Sequence, residues 1–397
     1  MTLEPRSRST RLIVVDQALS SMSNILLTIS AARAAGATEF GGFAWVLAAY
    51  ATALLLGRAL IGQPLMIRGQ VARVPGTGAA ALAVGVISAM PLLAFGLQLE
   101  VHSSIVLAMC GSLPALLLQD AGRFAAFVSG AEARAVRSDF IWLSAALVAL
   151  AASRDRSLRV VFLIWVAGGC LALLPLLGTW MRVAGFWRLH SFWLTTRGLS
   201  GSLLLEAVAT LLTLNLTLAC MQAVAGGAGA GALRGAQTLF SPLNTLVALS
   251  FALLAPVLRV RIQGGVATHK LFISLSSSCL AVLASYCGAL LLLPDGVGRV
   301  ALGDSWGSSR SLILPVALAA GASALSTLPA TEIKVREHMR SLVVATLVTA
   351  GVQACLLLVA WLLADSAQQV AYASALGWVM GLMIWLRFNW LSRKSAT

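Results

Sequence analysis

Residues Leu12 to Ala32 read LIVVDQALSSMSNILLTISAA. About 20 residues at a helical rise of ~1.5 Å cover the hydrocarbon thickness of a bilayer, so this run is long enough to cross one. Asp16, Ser20 and Asn24 recur at every fourth position and fall on one face of a helix. A carboxylate turned to lipid costs at least a few kcal/mol, so that face is expected to look into a bundle or an aqueous cavity. A second such stretch runs from near Gly198 to Gln222, with Glu206, Thr210, Thr213 and Thr217 at helical spacing. Two polar-faced spans, one opening each half of the chain, point to a transporter.

Working outward, the chain has 397 residues, of which 59% are apolar and only 11% charged. Its mean hydropathy is +0.90, outside the range of soluble globular proteins of this length. Buried backbone in lipid must satisfy its own hydrogen bonds, so long apolar runs mean helices. The short alternating segments of a β-barrel are absent from the sequence. The formal charge is +14, but the basic residues sit between apolar runs and form no nucleic-acid-binding patch. All six cysteines lie inside apolar runs without a CxxC pair and read as buried apolar residues. The run after Arg6, Arg8 and Arg11 carries Asp16 and Asn24 and lacks a small-residue cleavage site, so it reads as a retained span.

A hydropathy window of roughly 19 residues gives about twelve spans. The first six are Leu12–Ala32, Gly41–Met66, Ala79–Leu97, Ser104–Gln119, Phe140–Ala152 and Leu158–Met181. The second six are Leu199–Gln222, Leu233–Leu258, Leu271–Leu293, Leu312–Ala330, Leu342–Leu363 and Val370–Leu391. The expected domains are therefore an amino-terminal six-helix lobe, 1–181, a cytoplasmic interfacial linker, 182–198, and a carboxy-terminal six-helix lobe, 199–397. The linker mixes Phe186, Trp187, Phe192 and Trp193 with arginine and histidine, as a helix at a membrane surface does. Placing both termini in the cytoplasm puts roughly 20 of the 28 basic residues there. Arg154, Arg156 and Arg159 dissent, and the short fifth span decides whether later loops keep their sides.

The halves echo each other. AGATEFGGFA from Ala35 lies over AGAGALRGAQ from Ala228, Asn24 falls near Asn215, Asp16 near Glu206 and Pro64 near Pro256. The offset reads as roughly 190 residues throughout, and an even number of spans per half predicts parallel repeats about an axis along the membrane normal. The small-residue run Ala223–Ala232 reads as a flexible external turn.

The run beginning DQALSSMSNILLTISAARAAGATEFGGFAWVLAAY at Asp16 resembles the opening of bacterial polysaccharide and O-antigen flippases. These belong to the multidrug, oligosaccharidyl-lipid and polysaccharide (MOP) exporter superfamily. The pattern at Arg33, Gly36 and Glu39 to Gly41 carries the likeness, with QDAGRFAAFVSG from Gln119 and GALRGAQTLFSPLN from Gly231. The resemblance implies an all-α polytopic membrane protein of two six-helix lobes around a central cavity, in the bacterial inner membrane. It also implies movement of a lipid-linked sugar from the inner to the outer leaflet, with glycan-assembly enzymes as possible partners.

Asp16 and Glu206 are the first candidate residues, for ion coupling or substrate contact, against a helix–helix hydrogen bond or snorkelling toward the cytoplasmic surface as the alternative. Asn24 lies deeper and suits either role. Arg58, inside the second span, would hold a pyrophosphate or anionic sugar; the alternatives are a salt bridge, with Asp16 as one candidate partner, and snorkelling toward Arg68. Arg33 and Arg234 flank external mouths and are weaker candidates, with interfacial anchoring as the competing role. Asp120 and Arg123 suit an i,i+3 ion pair. No catalytic or metal site is expected, because the four histidines are scattered and HExxH, P-loop and GxSxG motifs are absent from the sequence. No cofactor is expected, and coupling to an ion gradient, to membrane potential or to consumption of substrate on the far side remains. The competing functions are an ion-coupled drug or metabolite antiporter of the same architecture and a membrane-embedded glycan-processing enzyme.

Overall fold

The computed structural model describes residues 7–68, 76–99, 101–155, 157–180, 187–243, 258, 261–262, 264, 268–336 and 338–394. The elements among them are all helices, as a chain of lipid-length apolar runs requires. Eleven stretches among the described residues are long and apolar enough to cross a membrane. The protein is a multi-pass membrane protein with two compact units, Met1–Val208 and Ala209–Thr397.

Unit 1 begins with α1 (Ser7–Ala34) and α2 (Ala37–Gly57). A π-helical turn, Arg58–Gly62, joins α2 without interruption to α3 (Gln63–Arg68). There follow α4 (Thr77–Gly96), α5 (Ser103–Val128), α6 (Glu132–Ala152), α7 (Leu158–Leu171) and α8 (Leu174–Trp180). Within the unit α4 packs along α5, α1 along α6, and α6 along α7. The fifth span, expected from Phe140, starts at Glu132 and reaches full membrane length. Its first two turns carry Glu132, Arg134, Arg137 and Asp139, which hide a helix from a hydropathy window.

The helix α9 (Leu189–Leu239) passes from the first unit to the second. Residues 189–198 of the expected linker form its first turns, and residues 181–186 lie outside the described residues. It breaks at one residue, Gly226, with φ 65° and ψ −166°, a left-handed conformation that side chains disfavour. A Cβ built on Gly229 would lie 3.3 Å from the carbonyl oxygen of Met221, eight residues back, so the chain folds sharply on itself here. The expected flexible turn Ala223–Ala232 is thus a one-residue corner between two helical arms. The second arm starts earlier than the expected eighth span, Leu233–Leu258, whose residues 244–257 lie outside the described residues.

Unit 2 continues with α10 (His269–Leu291), α11 (Asp295–Leu302), α12 (Trp306–Ser311), α13 (Ile313–Val335), α14 (Met339–Leu363) and α15 (Ala367–Lys394). α15 packs along both α13 and α14. The short α11 and α12 stand where unit 1 has only the connection 97–102 between α4 and α5. The offset between halves therefore widens after Leu291, where a constant one is expected from the sequence.

Candidate functional site

Four helices of unit 1 bring charged side chains to one buried point. Asp16 and Ser20 project from one face of α1, as their spacing requires. Gln119, Asp120 and Arg123 come from α5, Ser138 and Asp139 from α6, and Arg58 from the π turn after α2. Arg123 is the centre and is 2% exposed. Its Nη2 donates to Asp16 Oδ2 and lies 3.0 Å from Asp139 Oδ2, while its Nε reaches Asp16 Oδ1 at 3.4 Å. Its Nη1 reaches Asp120 Oδ1 at 3.2 Å and Ser20 Oγ at 3.3 Å.

Arg58 holds the same Asp120 from the other side. Its Nε donates at 3.0 Å to Oδ2 and its Nη2 at 2.8 Å to Oδ1, a fork that fixes the plane of both groups. The Arg58 side chain stays 34% exposed. Gln119 Nε2 donates to Asp139 Oδ1 and to Ser138 Oγ, each at 2.9 Å. Ser138 Oγ in turn donates to the Ala172 carbonyl at 2.6 Å.

With all groups ionised, three carboxylates face two guanidiniums, an excess of one negative charge in a dry interior. The place a metal ion would take among the three aspartates is filled by the Arg123 guanidinium. Among the described residues no group of His, Cys, Asp or Glu side chains is placed to hold a metal. Elsewhere in the unit, aromatic rings pack edge to face: Tyr50 against Trp165 at 5.5 Å between centroids and Phe43 against Phe162 at 5.7 Å. Trp165 Nε1 donates to Ser23 Oγ at 3.1 Å, which ties these rings to the seam of α1. A further core, with Ile61, Leu65, Ala121, Leu176 and Trp180, packs residues of the π turn, α3, α5 and α8 together.

Of the candidates read from the sequence, Asp16 and Arg58 enter this cluster together. The alternative role for Arg58, a salt bridge, is present, but its partner is Asp120, and Asp16 pairs with Arg123. The expected i,i+3 pair Asp120–Arg123 is present. Asn24 donates to the Ser20 carbonyl in its own helix at 3.1 Å. Glu206 lies partly buried on the first arm of α9, outside the bonds just given. Arg33 stands in the last turn of α1, where a cation complements the helix dipole. Arg234 is on the second arm of α9; its Nε is buried and finds no hydrogen-bond partner. Gln119, Ser138 and Asp139 were not foreseen.

Unit 2 has a charge cluster of its own, centred on Glu332 of α13. Arg336 Nη2 lies 2.8 Å from Oε1, and Arg393 Nη2 donates to Oε2. Asn389 Nδ2 donates to Oε2 at 3.1 Å and Thr268 Oγ1 to Oε1 at 3.3 Å. The Arg393 guanidinium also rests 5.2 Å from the centroid of the Phe272 ring.

No protein-family model and no curated protein matches the chain. Solved structures do match it. One is the lipid II flippase MurJ in an inward closed conformation, with a TM-score of 0.67 at 10% identity over 96% of this chain and 86% of that one. Another is an inward-facing multidrug resistance MATE family transporter of the MOP superfamily, with a TM-score of 0.63 at 12% identity over 95% of each chain. A third is a MOP superfamily transporter from Pyrococcus furiosus, with a TM-score of 0.59 at 12% identity over 98% of this chain and 95% of that one. These similarities show that the chain has the MOP transporter fold.

Proposed function

We propose that the protein is a membrane transporter that flips a lipid-linked, anionic sugar carrier between leaflets by alternating access. The observation that carries this reading is the Arg58 guanidinium, which lies inside a span and is open on one side although its cluster is negative in sum. Every aspartate of the unit 1 cluster is engaged by arginine. The guanidiniums are less fully engaged: Arg58 is one-third exposed, and Arg234 makes no ion pair among the described residues, its buried Nε finding no partner there. An arginine inside a span costs at least ~2.5 kcal/mol and is kept there for a reason. A pyrophosphate oxygen pair matches the guanidinium fork; an organic cation would be repelled by it.

The same geometry supports a chain of positioning. Asp16 and Asp139 hold Arg123, Arg123 steadies Asp120, and Asp120 aims Arg58. The fold similarity to a lipid II flippase supports this reading, and that to MATE transporters supports transport in general. Loop arginines favour an inner-membrane placement with both termini cytoplasmic. The excess negative charge of the cluster suits coupling to a proton or cation gradient, which an antiporter would share.

Purified protein in liposomes, given a fluorescent polyprenyl-pyrophosphate sugar and a membrane-impermeant quencher, tests the proposal. The parent protein should expose the lipid to quencher, and Arg58→Ala should slow this roughly 30-fold, the loss of about 2 kcal/mol of charge-assisted contact. Arg58→Lys should fall between. Absence of translocation across a panel of such lipids, with pH-driven efflux of organic cations, would establish the antiporter instead. A new glycosidic product would establish the enzyme.

A further inference from the structure

The helices α11 and α12 have no counterpart among the described residues of unit 1, and their surface is divided between apolar and charged sides. They form a closed hairpin. Asp295, at the start of α11, accepts from Trp306 Nε1 at 2.9 Å and from the Arg310 guanidinium. Arg310 Nη2 also donates to the Leu291 carbonyl at 3.3 Å, which satisfies the end of α10. The Trp306 indole lies so close over Gly298 that any side chain there would collide with it. Leu302 and Ser309 approach Gly235 on the second arm of α9, so the hairpin is seated on unit 2.

At about 100° per residue, Gly298 and Leu302 mark the buried side of α11. Ala301 and Val297 then fall along one flank and Val300 opposite the buried side, while Asp295 and Arg299 fall along the other flank. Val297 is 53% and Val300 60% exposed. The connections leave no room for the hairpin to stand far from the spans. Only residues 292–294 separate it from α10, and only Leu312 separates it from α13. Leu292, directly after the span, is 83% exposed, so the apolar surface of α10 reaches the foot of the hairpin.

We propose that the α11–α12 hairpin lies flat in the headgroup layer at the end of unit 2 opposite Glu332, with Val297 and Val300 among the upper acyl segments and Arg299 toward phosphate and water. An amphipathic helix with one apolar and one charged flank takes this orientation because each flank then meets its own solvent. Its occupant is phospholipid, and the contact continues the lipid-facing surface of the spans that flank it. Among the described residues, unit 1 has no helical hairpin at the corresponding place.

The full-length protein in nanodiscs, carrying a benzophenone amino acid singly at Val297, Val300, Arg299 or Asp304, tests the assignment with an alkyne-tagged phospholipid. Each position is exposed, and a thermal melt matching the parent confirms that each variant is folded. Lipid adducts at Val297 and Val300 should exceed those at Asp304 by about tenfold, with Arg299 between them. Equal yields at all four positions would overturn the proposal. So would Val297 and Val300 adducts formed chiefly with a second protein chain.

Discussion

The Arg123 cluster of unit 1 and the Glu332 cluster of unit 2 solve one problem with opposite signs. In unit 1 a guanidinium is ringed by Asp16, Asp120 and Asp139. In unit 2 a carboxylate is ringed by Arg336 and Arg393. The first centre is shut away with its partners. In the second the carboxylate is wholly buried, but Arg336 and Arg393 are 18% and 31% exposed. A buried charge whose partners cannot reach water depends on them wholly; one whose partners can turn outward does not. The first cluster should therefore be the rigid one, and the second the more easily remade.

Arg123→Met breaks this comparison most severely. It leaves three carboxylates facing one another without their common partner, and should cost about 3–5 kcal/mol, a large part of the stability of a domain. Thermal unfolding in detergent reads this, and Asp16→Asn with Asp139→Asn in the same chain should recover much of the loss. Glu332→Gln should cost less, about 1–2 kcal/mol, since Arg336 and Arg393 keep access to solvent. An equal loss in the two variants would erase the distinction between the clusters. Asp139→Asn sharpens it further. It keeps a group for Gln119 to donate to while removing the surplus charge, so the melting temperature should move by no more than ~1 kcal/mol implies, in either direction.

The smallest effect belongs to the exposed ion pair of the hairpin. The Trp306 indole N–H, then Arg310, hold the Asp295 carboxyl below its ordinary range. A depressed carboxylate contributes above its unfolded pKa of about 3.9 and loses that contribution as pH falls through the lower folded value. Protection from hydrogen exchange over residues 295–311, taken relative to the intrinsic rate at each pH, should therefore be flat from about pH 8 to 5 and fall only below about 4. A fall in protection near neutrality would show that the clip is not held by this carboxylate.

Much of the fold was legible because lipid-length apolar runs leave few choices. The polar seam of α1 was legible too, and its residues divide physically: Asp16 and Ser20 reach Arg123, while Asn24 turns back to its own helix. Arg58 was legible as a buried cation, but its partner was not, because a π turn sets which way it points. Asp139 escaped notice because it stands one residue before the apolar run that a hydropathy window finds. Glu332 and Arg336 have an i,i+4 spacing that could have been read; Arg393, from the far end of the chain, could not. The hairpin was hidden because α11 and α12, at 8 and 6 residues, are too short to register in a hydropathy window of roughly 19 residues.

The corner at Gly226 has a practical consequence for anyone mapping this molecule. Ala223–Ala232 invites a reporter tag, an epitope or a protease site, since glycine-rich stretches usually accept them. Here every neighbouring peptide bond is wound into a rod, and Ala225 crowds Gly229 across the bend. An insertion would have to unwind both arms to be seen, so its accessibility would describe the altered chain and not the native one.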